Sequence, residues 1–173
     1  FSNLARFDSV RYGYCEPGLK DLGSQYEESR ANGFGMEAKR RIMLGSYLLS
    51  AGVYEKYYYP AQQVRRLITQ DYERAYEQCD VILAPTSPRT AFKFGEIGDP
   101  VEMHLSDIFT VSINIAGNGG MNVPCGLGKD TGLPVGVQLI CPQFKDVNMF
   151  RAAAALEAAY GVAPIAPAFQ AGE

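Results

Sequence analysis

Apolar residues recur at helical spacing through the first half of the chain. Asp21 is positioned to cap a weak helix that ends near Gly33. From Met36 to about Tyr59 the sequence predicts a second helix that is apolar on most sides, which is typical of a buried helix. From Val64 to Cys79 the apolar positions follow a 3.6-residue period with charged residues between them. This pattern predicts an amphipathic surface helix.

The second half mixes short apolar runs with helical patterns. Val81–Ala84, stopped by Pro85, is typical of a buried strand in a parallel arrangement. Two further strands, 121–125 and 135–140, flank a Gly-rich turn and could pair as a hairpin. An Ala-rich run predicts a helix over 148–160, and 161–173 is a Pro/Ala-rich tail without a period.

One helix start in this half is well defined. Asp99 is a capping residue, Pro100 takes the first helical position and Glu102 can complete a capping box. The apolar face of this helix would continue through His104 to Phe109. With helices first and strands mixed with helices afterwards, the expected fold class is α/β, a mixed sheet flanked by helices with a helix-rich first half.

Composition excludes several classes of function. The net charge is −3 and the pI is about 5.3, which is unfavourable for holding nucleic acid by this chain alone. The four cysteines form no C-x-x-C pair and there is one histidine, so a zinc site of ordinary spacing is not expected. No asparagine opens a glycosylation sequon and no apolar run has transmembrane length, which favours an intracellular, cytoplasmic protein.

A few side chains stand out as candidates for chemistry. Arg40 and Arg41 lie in the first turns of an apolar helix, where the helix dipole disfavours cations. Arg41 comes one residue before the apolar run begins, so we expect one guanidinium to be partly buried. Its partner would be either a structural carboxylate or the carboxylate of a substrate. Asp107 lies beside the apolar stripe of its helix, either as an exposed carboxylate or as a binding residue. His104, on the stripe, is expected to be a core histidine.

A resemblance to a known family adds to this picture. The match spans about residues 1–160 and keeps its order. The segments that carry it are SNLARFD, VRYGY, GFG, KRRIMLG, LSAG, DVI with PT, DI at 107–108, VPCG and GLP. They resemble the C-terminal part of amidase-signature proteins, and within them the A-subunit family of glutamyl-tRNA(Gln) and aspartyl-tRNA(Asn) amidotransferases. Residues 1–160 would then be the C-terminal part of the amidase-signature domain, and 161–173 a tail.

The resemblance implies a function that this sequence would share with partners. In the family a Ser–Ser–Lys triad hydrolyses glutamine, and its positions would lie before Phe1, so no catalytic residue is expected in this chain. Arg41 and Asp107 match the positions that bind the α-carboxylate and α-amino group of glutamine. The family also implies a B subunit, which uses ATP and Mg²⁺ on Glu-tRNA(Gln), and a small C subunit, whereas this chain would bind no cofactor or metal.

Two other interpretations stay open at this point. The chain could belong to a stand-alone amidase-signature hydrolase of small amides, which needs no binding site for an amino-acid zwitterion. It could also be a non-enzymatic helical interaction module. We also expect exposed apolar surface, because the helix over 36–59 and the strand over 81–84 have the composition of elements that another part of the family's domain would cover.

Overall fold

The computed structural model describes residues 2–161, so the tail assigned to 161–173 lies, apart from Gly161, outside the described residues. The chain divides into two compact units, one up to Gln63 and one from Val64 onward. The division falls within a helical segment, since residues 59–76 are helical.

The first unit is helical and contains a short 3-10 turn at Leu4–Arg6 near its start. Helix α1 spans Leu22–Gly33, and its cap is confirmed, because the Asp21 carboxylate accepts a 2.8 Å hydrogen bond from the Ser24 amide. Helix α2 spans Met36–Leu48, a π-helical turn follows at Tyr54–Tyr58, and helix α3 begins directly after it and spans Tyr59–Tyr76.

The prediction of one continuous buried helix from Met36 to Tyr59 is wrong. The helix ends at Leu48, and Gly52 adopts a positive φ of 79°, a conformation that breaks a helix and that glycine tolerates best. None of its side chains is buried: Met36 is 79% exposed and Met43 is 74% exposed. Within the first unit α2 contacts chiefly the π-helical turn, so most of its apolar side chains stay exposed, and only Ile42 and Leu48 among its large apolar side chains are half-buried. The expected exposed apolar surface is therefore present on α2.

Arg30 links α1 to the preceding segment of the chain through hydrogen bonds. Its Nη1 donates hydrogen bonds to the backbone carbonyls of Phe7 at 2.8 Å and Leu4 at 3.4 Å. The guanidinium also lies 5.0 Å from the centroid of the Phe34 ring, within the range of a cation–π interaction. One arginine thereby orders the start of the described chain.

The second unit is built on a three-stranded antiparallel sheet. Strands β1 (Ile82–Pro85), β2 (Gly119–Leu127) and β3 (Pro134–Cys141) lie in the order β1-β3-β2. The predicted β2–β3 hairpin is confirmed. The prediction for β1 is wrong in two respects: β1 is antiparallel to β3, and its residues alternate between half-buried and exposed because it lies at an edge of the sheet.

The core of the second unit lies between the sheet and the last helix. Helix α6 spans Asp146–Tyr160, close to the predicted 148–160. Its Met149 and Ala153 pack against side chains that alternate along β2 and β3 on one sheet face, namely Val123, Leu139 and Cys141. The fully buried Cys141 has a raised thiol pKa, mainly because burial disfavours the thiolate.

The helix predicted to run from Asp99 to Phe109 is divided. Its cap is confirmed, since Asp99 Oδ1 accepts a 2.9 Å hydrogen bond from the Val101 amide, but α4, which spans Pro100–Leu105, ends early. Residues 106–110 form a turn, and helix α5 spans Val111–Ala116. The Glu102 carboxylate accepts a hydrogen bond from Arg89 at 3.0 Å, and among the described residues it accepts none from the Asp99 amide. The capping box is therefore not formed.

Helix α5 is held by α3 within the second unit. Arg65 Nε donates a 2.8 Å hydrogen bond to the carbonyl of Ile115, near the end of α5 where carbonyls lack helical partners. The hydroxyl groups of Tyr72 and Ser112 lie 2.8 Å apart. No helix in residues 2–161 has the length and apolar character needed to cross a bilayer.

Candidate functional site

Arg41 lies in the first half of α2, in the first unit, with its guanidinium exposed. Its Nε donates a 2.8 Å hydrogen bond to Glu37 Oε1, one helical turn earlier. The neighbouring Arg40 binds the same carboxylate. The predicted partial burial is wrong: the side chains of Arg40 and Arg41 are 53% and 66% exposed, because both extend along the open surface of α2 to Glu37.

Glu37 is the carboxylate that balances this pair of arginines. Hydrogen bonds from Arg40 and then from Arg41 lower the pKa of Glu37 from 4.5 to about 2. An acidic residue in the first turn of a helix also interacts favourably with the helix dipole, whereas the arginines do not. The sequence left open whether the arginine pairs with a structural carboxylate or with a substrate. The structure contains a structural carboxylate, Glu37, which pairs with both Arg40 and Arg41.

Arg40 and Arg41 use their hydrogen-bond donors differently. Arg40 binds Glu37 side-on through Nε and Nη2, both at 2.9 Å. Arg41 uses Nε alone, and its Nη1 and Nη2 make no hydrogen bond to any residue in the described range. The outer edge of Arg41 therefore keeps the pair of donors that binds a carboxylate in bidentate fashion.

Asp107 lies in the second unit, in the turn between α4 and α5. Its backbone carbonyl accepts hydrogen bonds from the amides of Thr110 at 2.9 Å and Val111 at 3.1 Å, which starts α5. Its carboxylate is exposed and has no hydrogen-bond partner among residues 2–161. Asp107 is therefore an available anion on a turn whose backbone is fixed.

Gln138 donates a hydrogen bond to the turn at 106–110, and the sequence did not identify it as a candidate residue. The residue is only 4% exposed, and its Nε2 donates 2.8 Å hydrogen bonds to the carbonyls of Phe109 and Pro85. A single amide within the apolar run 135–140 was the available signal, since a buried polar side chain needs partners.

A cavity of about 230 Å³ lies on the face of the sheet that carries Gln138, opposite α6. It has no charged side chain in its lining, which consists of Thr86, Thr110, Ile113, Asn114, Asn118, Gly120, Met121, Asn122 and Gln138. Asn118 Nδ2 is buried without a partner in the described part of the chain, whereas Thr86 Oγ1 and Asn122 Oδ1 lie 2.5 Å apart. The cavity thus offers neutral hydrogen-bonding groups, one of them on Thr110 in the same turn as Asp107.

The remaining candidate does not form a site. His104 is exposed in the last turn of α4, so its assignment to the core is wrong; the divided helix removes the apolar stripe on which it was placed. Within residues 2–161 no three His, Cys, Asp or Glu side chains are grouped so as to bind a metal ion. Arg41 and Asp107 belong to different units.

The family model described as Amidase matches residues 1–150. The chain belongs to the amidase family. It is 52% identical over 167 residues to the A subunit of the glutamyl-tRNA(Gln) amidotransferase of Anaeromyxobacter dehalogenans, covering 96% of this chain and 34% of that protein. It is 53% identical over 153 residues to the corresponding protein of Thiobacillus denitrificans, covering 88% of this chain and 31% of the relative. The chain thus spans about a third of the length of these curated relatives.

Solved structures agree with this assignment. The crystal structure of the glutamyl-tRNA(Gln) amidotransferase A subunit from Thermotoga maritima is 46% identical, with a TM-score of 0.58, covering 79% of this chain and 30% of that one. An amidase crystal structure matches with a TM-score of 0.63 at 22% identity, over 81% and 32% of the two chains, which shows the shared fold alone. The α/β class and the resemblance to the A subunits are confirmed.

Proposed function

We propose that this chain is part of a glutaminase subunit that supplies ammonia to a tRNA-dependent amidotransferase, and that it contributes one wall of the glutamine pocket. The observation that carries the proposal is the 52% identity to an amidotransferase A subunit over 96% of the chain. The free outer edge of Arg41 and the carboxylate of Asp107, unpartnered among residues 2–161, support it, because a free amino acid presents one anion and one cation.

In this function Arg41 and Asp107 recognise the backbone of glutamine. The Nη1 and Nη2 groups of Arg41 donate to the α-carboxylate, and the Asp107 carboxylate accepts from the α-ammonium group. A simple amide has neither group, so it leaves the outer edge of Arg41 and the carboxylate of Asp107 without a partner. Such a loss discriminates strongly between substrates when a site is built to bind the group that is missing.

The chemical step belongs to residues outside this sequence. A serine oxygen attacks the side-chain carbonyl of glutamine, the C–N bond breaks and ammonia leaves; water then hydrolyses the acyl-serine to glutamate and restores the serine. We place the Ser–Ser–Lys triad before Phe1 and assign no catalytic residue to this chain. The 173-residue chain alone is therefore expected to show no glutaminase turnover.

The remaining steps involve partners. The ammonia passes to a B subunit, which activates Glu-tRNA(Gln) with ATP and Mg²⁺, and a C subunit helps to hold the complex together. Supporting this division of labour, the chain is acidic overall and unsuited to hold tRNA by itself. Its free cysteines fit a reducing compartment, and we place the protein in the cytoplasm.

The test uses three amides and the full-length subunit with its partners. Glutamine carries both charged groups, glutaramate carries the carboxylate alone, and 4-aminobutanamide carries the ammonium alone. Replacing Arg41 by Ala should lower kcat/KM about ten- to a hundred-fold for glutamine and glutaramate, since charge-assisted hydrogen bonds are lost, and should barely affect 4-aminobutanamide. Replacing Asp107 by Ala should affect glutamine and 4-aminobutanamide but not glutaramate.

Other results of this test would favour a structural role for the two residues or one of the alternative functions. Equal losses for all three amides would show that Arg41 or Asp107 is structural. No loss for any amide, with no B or C subunit recovered alongside the protein, would favour a stand-alone hydrolase of small amides. A full-length protein without amide hydrolysis in any assay would favour an interaction module.

A further inference from the structure

Arg40 and Arg41 both donate to Glu37, but they differ in which of their hydrogen-bond donors remain without a partner in the described residues. Glu37 Oε1 accepts from Arg40 Nη2 and Arg41 Nε, and Oε2 accepts from Arg40 Nε. Arg40 thereby uses one complete edge of its guanidinium. Arg41 uses only its inner nitrogen, so its outer edge has no partner among the described residues.

We propose that Glu37 is a positioning residue for glutamine binding: it holds the Arg41 guanidinium by Nε so that Nη1 and Nη2 receive the α-carboxylate without displacing Glu37. This inference rests on the proposed function and adds a residue that touches no substrate. The helix supplies the geometry, because residues four apart lie on the same face, one turn above the other. This i,i+4 spacing allows Arg41 Nε to lie 2.8 Å from Glu37 Oε1.

Electrostatics gives a reason for a carboxylate at this position. Lys39, Arg40 and Arg41 place three cations near the start of α2, where the helix dipole opposes them. Glu37 in the first turn is ionised at physiological pH and offsets part of this charge. The site remains net positive by two charges, since these four residues carry three cations and one anion, so it still attracts an anion.

The expected advantage is one of preorganisation. Arginine has many rotamers, and fixing an exposed one when substrate binds costs free energy that an existing hydrogen bond removes in advance. Losing this bond should therefore raise KM about two- to ten-fold without changing kcat. A carboxylate that competed with substrate for Arg41 would do the opposite, since its removal would lower KM.

The experiment measures glutaminase kinetics of the full-length subunit with its partners, using glutamine, glutaramate and 4-aminobutanamide. Glu37→Ala should raise KM about two- to ten-fold for the two amides with a carboxylate and leave 4-aminobutanamide unchanged. Glu37→Gln keeps an acceptor oxygen for Arg41 Nε and should restore part of the loss. Glu28→Ala removes an exposed carboxylate from α1 that has no hydrogen bond in the described range, and should change nothing.

Arg41→Ala, measured in parallel, separates the two proposals. If Arg41→Ala raises KM for the carboxylate-bearing amides while Glu37→Ala leaves it unchanged, the positioning role is wrong and the glutamine pocket stands. A lower KM in Glu37→Ala would show competition and also overturn the positioning role. If Arg41→Ala has no substrate-selective effect, both the pocket assignment and the role of Glu37 fail.

Discussion

The side chain of Gln138 donates a 2.8 Å hydrogen bond to the backbone carbonyl of Phe109. Gln138 lies in the central strand of the sheet, and Phe109 lies in the turn that carries Asp107. A buried side chain of the core strand thereby sets the position of an exposed turn. The turn is supported from beneath by the sheet and from its own end by the first amides of α5.

Replacing Gln138 by Met should lower the free energy of unfolding by about 1–3 kcal/mol, because two carbonyls lose their donor while the volume is nearly kept. In the full-length subunit the same change should raise KM for glutamine and 4-aminobutanamide, which both use Asp107. Urea unfolding and steady-state kinetics measure the two effects. Gln143→Met is the matched control, since Gln143 is exposed and makes no hydrogen bond within residues 2–161; equal stability of the two variants would contradict the prediction.

Gly119 is required by close packing at the start of β2. A Cβ at this position would lie 2.7 Å from the sulfur of Cys141, which is completely buried, and 3.2 Å from Asp146 Oδ1. Gly119→Ala should therefore cost about 1–3 kcal/mol of unfolding free energy by overpacking. Combining it with Cys141→Ala should recover part of this cost, a coupling that a double-mutant cycle measures.

Gly98→Ala is the control for this prediction. A Cβ at Gly98 would meet no atom within 4 Å, and its φ is not positive, so the change should be nearly neutral. If Gly119→Ala proved as neutral as Gly98→Ala, the space next to Cys141 would be larger than the packing indicates.

Replacing methionine by lysine should affect stability differently on α2, where the methionines are exposed, and on α6, where Met149 is buried. Met36 and Met43 are 79% and 74% exposed on α2, whereas Met149 in the core is 4% exposed. Lysine at both α2 positions should reduce binding of a hydrophobic dye to the 173-residue chain and leave its melting temperature nearly unchanged. Met149→Lys should unfold the second unit, because a buried unpaired charge is strongly destabilising. Unchanged dye binding in the α2 variant would place the apolar surface elsewhere.

Elements with local signals could be predicted from the sequence. The Asp21 cap indicated the start of α1, and two apolar runs around a Gly-rich turn indicated the β2–β3 hairpin, because strands close in sequence pair through their turn. Helix α6 followed from its run of alanines, which have high helix propensity.

Features that depend on distant residues could not be predicted in this way. The antiparallel pairing of β1 is decided by β3, which lies far along the chain, while the composition of β1 fits either direction. The break at 106–110 leaves the apolar period intact, so it is invisible in the pattern. For the candidate site, the sequence and the family resemblance pointed to Arg41 and Asp107. The i,i+4 spacing of Glu37 and Arg41 was a local signal for their ion pair, whereas the hydrogen bond from Gln138 to Phe109 joins residues far apart in the sequence.

The shifted pKa of Glu37 predicts a pH dependence with a definite sign. Glu37 titrates with a pKa of about 2 in the folded chain against an ordinary value of 4.5, so its contribution to stability is complete above that ordinary value and is lost as the pH falls towards 2. The difference in unfolding free energy between the native chain and Glu37→Gln should therefore be constant above that range and shrink below it. Because the pair is exposed, added salt should weaken the difference throughout. Carboxyl NMR gives the direct measurement: Arg40→Ala should raise the pKa of Glu37 more than Arg41→Ala does, since Arg40 supplies the largest shift. A Glu37 midpoint at its ordinary value of 4.5 would show that the ion pairs do not persist in solution.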